Sequence, residues 1–352
     1  MSRRKLTRQQ RWRVEKIQAE RTERASKKDE RDSGRLDAGE YGSERPGRVA
    51  AHFGRSLEVE SVEDDQIRLH RCHLRANLEG LVTGDQVIWR EANDGSGVVV
   101  ARGERHSVLE RPDTHGQLRP VAANIDQILI VVAVEPEPHP NLIDRYLVAA
   151  ESTGIPPVLV LNKSDLLPDE GGALRDWLRR YDALGYPLIE ASARGEHGLD
   201  ALHGQLANRT SVFVGQSGVG KSSLIDKLLP EETLRIGELS TDTRKGKHTT
   251  TTARLYPLPP AENLDVTEAE GSRRGDLIDS PGIREFGLWH LDERELAEGF
   301  IEFRPYLGRC RFRDCRHRQE PGCALLGAVE RGDIHPQRFA SFQRIRDDIA
   351  AS

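Results

Sequence analysis

The run Gly215-Gln-Ser-Gly-Val-Gly220-Lys221-Ser222 fills every required position of G-x-x-x-x-G-K-[ST]. It lies between an apolar segment, Ser211–Val214, and a segment with helical character. Few folds accept such a run in that setting. The glycines let the backbone curl so that successive N–H groups face one point, and the first turn of the following helix adds positive potential there. A phosphate is what such a point holds. Gly215, Gln216, Ser217, Gly218, Val219, Gly220, Lys221, Ser222 and Ser223 are therefore the candidate phosphate-binding residues. Lys221 is placed to reach the terminal phosphates, and Ser222 to offer a hydroxyl to Mg2+. A strand, loop and helix of this kind belong to a mainly parallel sheet with helices on its faces.

A second motif, Asn162-Lys163-Ser164-Asp165, ends the apolar run "PPVLVLNKSD". The Asp165 carboxylate can accept from both N1–H and the exocyclic amine of guanine. Adenine lacks that pair of donors and would leave a charge unpaired. Asn162 fixes the loop, and the stem of Lys163 can cover the base face. Ser192 and Ala193 follow the next strand-like run, where a backbone N–H can meet guanine O6. The order is unusual, because the base motif precedes the phosphate loop. In an open α/β sheet ligands bind outside the carboxyl ends of the strands, so the site depends on strand position and not on chain order. Joining the old termini and opening the chain elsewhere preserves the pocket. The stretch "GLDALHGQLANRTSVFVGQ" reads as that junction, and the fold expected is an α/β P-loop GTPase with circularly permuted motifs. "LIDSPG" supplies Asp279 for Mg2+ and Gly282, whose N–H can sense the γ-phosphate.

The flanks differ in character. "GRVAAHF", "SLEVE", "QIRLHRC", "DQVIWR" and "GVVVARG" are five short strand-like runs separated by Gly and Asp turns, which predicts an OB-type β-barrel over 46–108. The first 28 residues are rich in Arg and Lys, although the chain of 352 residues carries a net charge of −5. Residues 1–45 read as a basic, disordered arm, either a solvated tail or a segment that meets nucleic-acid phosphates. No apolar run is long enough for a membrane span or has the form of a signal peptide, so a cytoplasmic protein with no membrane partner is expected.

Three of the four cysteines fall within 310–323. Cys310, Cys315, His317 and Cys323 offer three thiolates and an imidazole, a set that suits one tetrahedral Zn2+. With all four positions taken, the ion is expected to be structural. Arg309, Arg311, Arg313, Arg316 and Arg318 interleave with these ligands, and they either offset their charge or meet RNA phosphates. His335 reads as a surface or capping residue. Lone Cys72 reads as a packed thiol.

Taken together, NKSD, SAR, GQSGVGKSS, GKHTTTTARLY, DSPGIREFGLW and CRFRDCRHRQEPGC resemble the RsgA (YjeQ) family of circularly permuted GTPases over roughly residues 46–345. The resemblance implies an N-terminal OB domain (46–108), a central GTPase (115–290) and a helical zinc domain (291–352). It implies a GTP hydrolase that acts late in small ribosomal subunit maturation. Its partners would be GTP or GDP and the subunit's rRNA and proteins, with hydrolysis stimulated by the subunit and coupled to release. A monomer is expected. The resemblance also marks 246–253 as a switch, with Thr250 as the choice among the threonines of 249–252 for Mg2+ and His248 as a candidate to position the attacking water. Ile283 stands where Ras-type GTPases carry a water-orienting Gln. A different class, an RNA-binding module gated by nucleotide without turnover, remains the alternative reading, with a factor for the large subunit behind it.

Overall fold

In a computed structural model, residues 41–54, 56–63, 66–75, 78, 80–113, 117–168, 172–195, 197–229, 253–259, 275–279 and 291–350 are described. They form two compact units, one ending at Glu104 and one beginning at Arg105.

The first unit is a closed barrel of β1 (Arg45–Phe53), β2 (Ser56–Glu63), β3 (Gln66–Leu74), β4 (Gln86–Glu91) and β5 (Gly97–Arg102). β1 pairs antiparallel with β2 and β4, β2 with β3 and β4 with β5. The parallel pair β3–β5 closes the ring. Closure leaves no free edge, and this is the OB-like topology that the alternation of the five runs predicted. Trp89, Cys72, Val49, Leu57, Val59 and Val99 fill the interior with no exposed surface. Glycine at 97 is required by that packing. A Cβ there would collide with Cys72 Sγ and press on the Trp89 ring. Burial pushes the Cys72 thiol up to about 12, so it behaves as a packed hydrophobe.

The second unit begins with a hairpin, β6 (Val108–Pro112) and β7 (Leu118–Ala123). Short strands that each carry a proline have little strand signal in the sequence. The sheet follows: β8 (Gln127–Ala133), β9 (Pro157–Asn162), β10 (Leu188–Glu190), β11 (Thr210–Val214), β12 (Arg254–Pro257) and β13 (Asp276–Asp279). Its spatial order is β10-β9-β8-β11-β13-β12. All neighbours are parallel except β12, which runs antiparallel to β13 with Leu255 opposite Ile278. The antiparallel strand is an addition to the expected pattern. β8 and β9 are buried at every position, as strands covered on both faces must be.

The connecting helices are α1 (Pro140–Thr153), α2 (Ala173–Ala183), α3 (Asp200–Leu206) and α4 (Lys221–Leu228). α1 starts on an His139 cap with Pro140 in its first turn and stops at Gly154, whose φ of 71° closes it in the left-handed region. The C-terminal elements are α5 (Glu293–Glu298), a 3₁₀ turn (Ile301–Tyr306), α6 (Ala324–Arg331) and α7 (Pro336–Ala350). "HLDERELAEGFIEF" suggests one continuous helix, but α5 ends at Gly299. A Cβ on Gly299 would stand 2.6 Å from Val148 Cγ1, so the chain turns where it packs closely on α1. Phe300, Phe303, Phe339 and Phe342 form the aromatic core of this part, and Val148 and Ala149 of α1 belong to the same cluster.

The joint between α1 and α7 also contains buried charge. Arg338 bonds Asp144 at 2.5 Å and Glu302 at 2.6 and 3.0 Å. The Tyr181 hydroxyl donates to Asp144 at 2.8 Å, and the guanidinium lies 4.6 Å from the Phe300 ring centre. Among the described residues, no helix is long and apolar enough to cross a membrane.

Candidate nucleotide site and metal centre

The sheet brings the scattered motifs to one end. Asn162 ends β9, Ser192 and Ala193 follow β10, the glycine loop follows β11 and Asp279 ends β13. β8 separates β9 from β11, and its parallel registers align their ends: Ala133 pairs with Asn162 and Ile130 with Val214.

Asn162, 2% exposed, joins the two main motifs. Its Nδ2 donates to the Val219 carbonyl at 2.8 Å, tying the end of β9 to the glycine loop. Lys163 has φ of +59°, and its ammonium donates to the carbonyls of Glu135 at 2.5 Å and Gly218 at 3.1 Å. The lysine stem thus spans from the β9 loop to the β8–α1 connection and the glycine loop. Asp165 lies in a 3₁₀ turn (Ser164–Leu166). Its Oδ1 accepts from the Ser192 hydroxyl at 2.6 Å, and Ser192 Oγ accepts from Arg194 N–H at 3.0 Å. An ionised carboxylate can only accept, so the Ser192 hydroxyl proton is directed at Asp165 and holds Oδ1 in place. The Arg194 guanidinium stands 3.7 Å from Asp165 Oδ2, a partner not assigned in the sequence reading. Ala193 is half-buried beside Ser192.

In the glycine loop, Gly215, Gly218 and Gly220 have φ of 144°, 84° and 91°. These values lie in the region that disfavours a Cβ. At Gly215 a Cβ would collide with the Val131 carbonyl, and at Gly220 with the Asn162 amide. Glycine is needed there for conformation and for space. Gln216, Ser217 and Val219 complete the turn. Lys221 opens α4, with its ammonium 2.6 Å from the carbonyls of Gly215 and Gln216. Ser222 and Ser223 are exposed in the first turn of α4. Asp279 follows Ile278, the registered partner of Val212, so it ends the strand beside the one that carries the glycine loop. The oxygens of Ser222 and Asp279 are hard donors of the kind Mg2+ takes. His248, Thr250, Gly282 and Ile283 lie outside the described residues, as does the arm up to residue 40.

Cys310, Cys315, His317 and Cys323 converge, with all four donor atoms within 4.8 Å of one another. His317 Nδ1 is 3.6 Å from Cys310 Sγ, 3.6 Å from Cys315 Sγ and 3.3 Å from Cys323 Sγ. A tetrahedral ion with bonds of about 2.3 Å to sulfur and about 2.0 Å to nitrogen has S···N edges of about 3.5 Å. The donor set therefore fits a metal ion. Burial pushes the Cys315 thiol up to about 12 and holds His317 below its ordinary value. A cation supplies the charge that lets thiols ionise in such a place. Ala324 N–H, in the first turn of α6, points at Cys310 Sγ from 3.3 Å, and the helix start favours negative sulfur. Arg309, Arg311, Arg313, Arg316 and Arg318 are all exposed around this cluster. His335 is a cap: its Nδ1 accepts Gln337 N–H at 3.2 Å at the start of α7.

Comparison with known proteins agrees with this geometry. The family model described as RsgA GTPase matches residues 102–289. A protein of Chromohalobacter salexigens, named small ribosomal subunit biogenesis GTPase RsgA, is 69% identical over 350 residues, 99% of each chain. One of the same name from Hahella chejuensis is 56% identical over 351 residues, 99% of this chain and 97% of that one. The crystal structure of YjeQ from Thermotoga maritima is similar with a TM-score of 0.66 at 29% identity, covering 88% of this chain and 100% of that one. The structure of YloQ, described as a circularly permuted GTPase, gives 0.65 at 26% identity, covering 88% and 96%.

Proposed function

The chain belongs to the RsgA GTPase family, and we propose that this GTP hydrolase serves the biogenesis of the small ribosomal subunit by binding it late in maturation and leaving it on hydrolysis. The observation that carries the site assignment is the bond from Asn162 Nδ2 to the Val219 carbonyl. It locks a guanine-reading loop to a phosphate loop, so that one nucleotide can lie across both.

In this reading Asp165 accepts the two donors of guanine, held for that task by Ser192. Lys163 covers one face of the base, and the backbone at Ala193 meets O6. The N–H groups from Gly215 to Ser223 hold the phosphates. Lys221 moves from the carbonyls of Gly215 and Gln216 to the β- and γ-phosphate oxygens, where it offsets charge that grows in the transition state. Ser222 and Asp279 are the described residues that would hold Mg2+, with Thr250 as the proposed third. Held there, Mg2+ would supply positive charge to neutralise the triphosphate. Gly282 senses the γ-phosphate, and His248 orients the attacking water in place of the missing glutamine. Cys310, Cys315, His317 and Cys323 hold one structural Zn2+. The arm and the arginines around the cluster meet rRNA phosphates. The chain acts as a monomer in the cytoplasm.

The test is GTP hydrolysis by the purified protein, alone and with small or large ribosomal subunits, with ATP as control. Stimulation by the small subunit alone, lost in Lys221→Ala, is the expected result. Bound GTP with no stimulation by either subunit would refute the ribosome-activated reading. It would favour an RNA-binding module gated by the nucleotide.

A further inference from the structure

His317 sits in an unusual backbone conformation. Its φ is +56°, a left-handed value for a residue with a Cβ. Something must hold it there, and both adjoining peptide planes are anchored by side chains. On the preceding plane, the Arg316 carbonyl accepts from Arg346 Nη1 at 2.7 Å. On the following plane, the Arg318 N–H donates to Glu320 Oε2 at 2.7 Å. The same carboxylate takes Gln319 N–H at 3.1 Å through Oε2 and Arg316 N–H at 3.1 Å through Oε1. Rotation about either backbone bond of His317 breaks one of these bonds.

Arg346 is itself fixed. It is 7% exposed, its guanidinium carbon lies 5.6 Å from the Phe342 ring centre, and its nitrogens approach Asp347 at 3.3 Å and Glu293 at 3.7 Å. The anchor is thus part of the packed face of α7, whereas Glu320 belongs to the loop it organises.

We propose that Glu320 and Arg346 are positioning residues of the metal centre, which together hold His317 Nδ1 at the point where the three sulfurs converge. The imidazole is in place before the ion arrives, so binding does not have to order this loop and release requires it to open. Arg346 also ties the knot to α7, the helix that carries Arg338 to Asp144 of α1. This proposal rests on the reading of Cys310, Cys315, His317 and Cys323 as a metal site.

The test uses the full-length protein loaded with Co2+ for spectra and with Zn2+ for release to a chromogenic chelator. Compared with the parent are Glu320→Ala, Glu320→Gln, Arg346→Met and Arg346→Lys. Glu320→Ala and Arg346→Met should weaken metal binding by about 10–100-fold, the range for outer-sphere partners. They should also shift the Co2+ ligand-field bands as the nitrogen ligand is lost. Glu320→Gln keeps one acceptor oxygen and should fall between parent and alanine. Arg346→Lys keeps a donor for the Arg316 carbonyl and should recover most of the affinity. A parent that binds one ion per chain, with unchanged spectra and release in Glu320→Ala and Arg346→Met, overturns the proposal. Lower thermal stability with an unchanged Co2+ spectrum also overturns it, since the role is then merely structural. A parent that takes up neither ion refutes the metal reading itself, and the proposal falls with it.

Discussion

Replacing Arg338 with methionine tests how the C-terminal helices are held to α1. Arg338 is 6% exposed and Asp144 is fully buried. The guanidinium serves two carboxylates at once, Asp144 at 2.5 Å and Glu302 at 2.6 Å. At 2.6 Å and an effective dielectric of about 20, each attraction is about 6 kcal/mol before desolvation. Several kcal/mol of lost hydration per ion offset most of that, so the intact network contributes little net stability. Removing only the cation is different. Methionine fills the space beside Phe300 but leaves two carboxylates without their shared cation, and Asp144 keeps only the Tyr181 hydroxyl. Its Oδ2 has no hydrogen-bond partner even with Arg338 present. Stranding a buried partner costs about 3–5 kcal/mol. For a unit of this size that lowers the melting temperature by roughly 6–20 °C. Scanning calorimetry measures the shift, and fluorescence of Trp177, whose ring is 5.7 Å from Tyr181, reports the same joint locally. The triple variant Arg338→Met, Asp144→Asn, Glu302→Gln removes the stranded charges and should recover most of the loss. A single variant that melts within about 2 °C of the parent, or a triple as unstable as the single, would show that the charges do not control this joint.

Three further outcomes are expected. Asp165→Asn exchanges an acceptor for an amide donor, so GTP affinity should fall at least about a hundredfold while xanthosine triphosphate, which has a carbonyl at that position, gains. Equilibrium binding of both nucleotides checks this, and equal loss for both would refute the base-reading role. Gly220→Ala places a Cβ at φ of 91° against the Asn162 amide, with strain of about 1–3 kcal/mol. Titration with a fluorescent GDP should show affinity reduced about tenfold or more, and a change under about twofold contradicts the argument. His335 is held below its ordinary value by burial and by Arg180, 3.0 Å from its Nε2. The unfolded chain therefore takes the proton first, so this contribution is complete above about pH 6.5 and is lost as pH falls through the lowered folded value. His335→Asn keeps a capping oxygen that does not titrate. Its melting temperature should lose less than the parent's between about pH 7 and about pH 5, and parallel curves would reject the cap as the cause.

Much of the molecule is legible in the sequence because its signals are local. The glycine loop declares its own conformation: positive φ and close backbone approach at Gly215 and Gly220 are what glycine spacing encodes. The five alternating runs gave the barrel strands, since one buried face per strand imposes a period of two. Four metal donors within fourteen residues leave little to tertiary folding. The β6–β7 hairpin and antiparallel β12 are not legible in the sequence, because short, proline-bearing strands have weak periodicity and depend on a partner.

The sequence by itself determined which groups stand together: a glycine run able to curl around a phosphate, a carboxylate able to accept from guanine, three thiols with an imidazole, and a motif order that need not match site order. The tertiary structure decided how these groups are held. That Asn162 locks to Val219 depends on β8 lying between β9 and β11. That one arginine serves Asp144 depends on a contact across 194 residues of chain. That His317 is clamped by Arg346 depends on α7 folding back over the loop. Each is a long-range contact between residues with no local pattern, fixed only once the helices pack on the sheet and their buried charges must find partners.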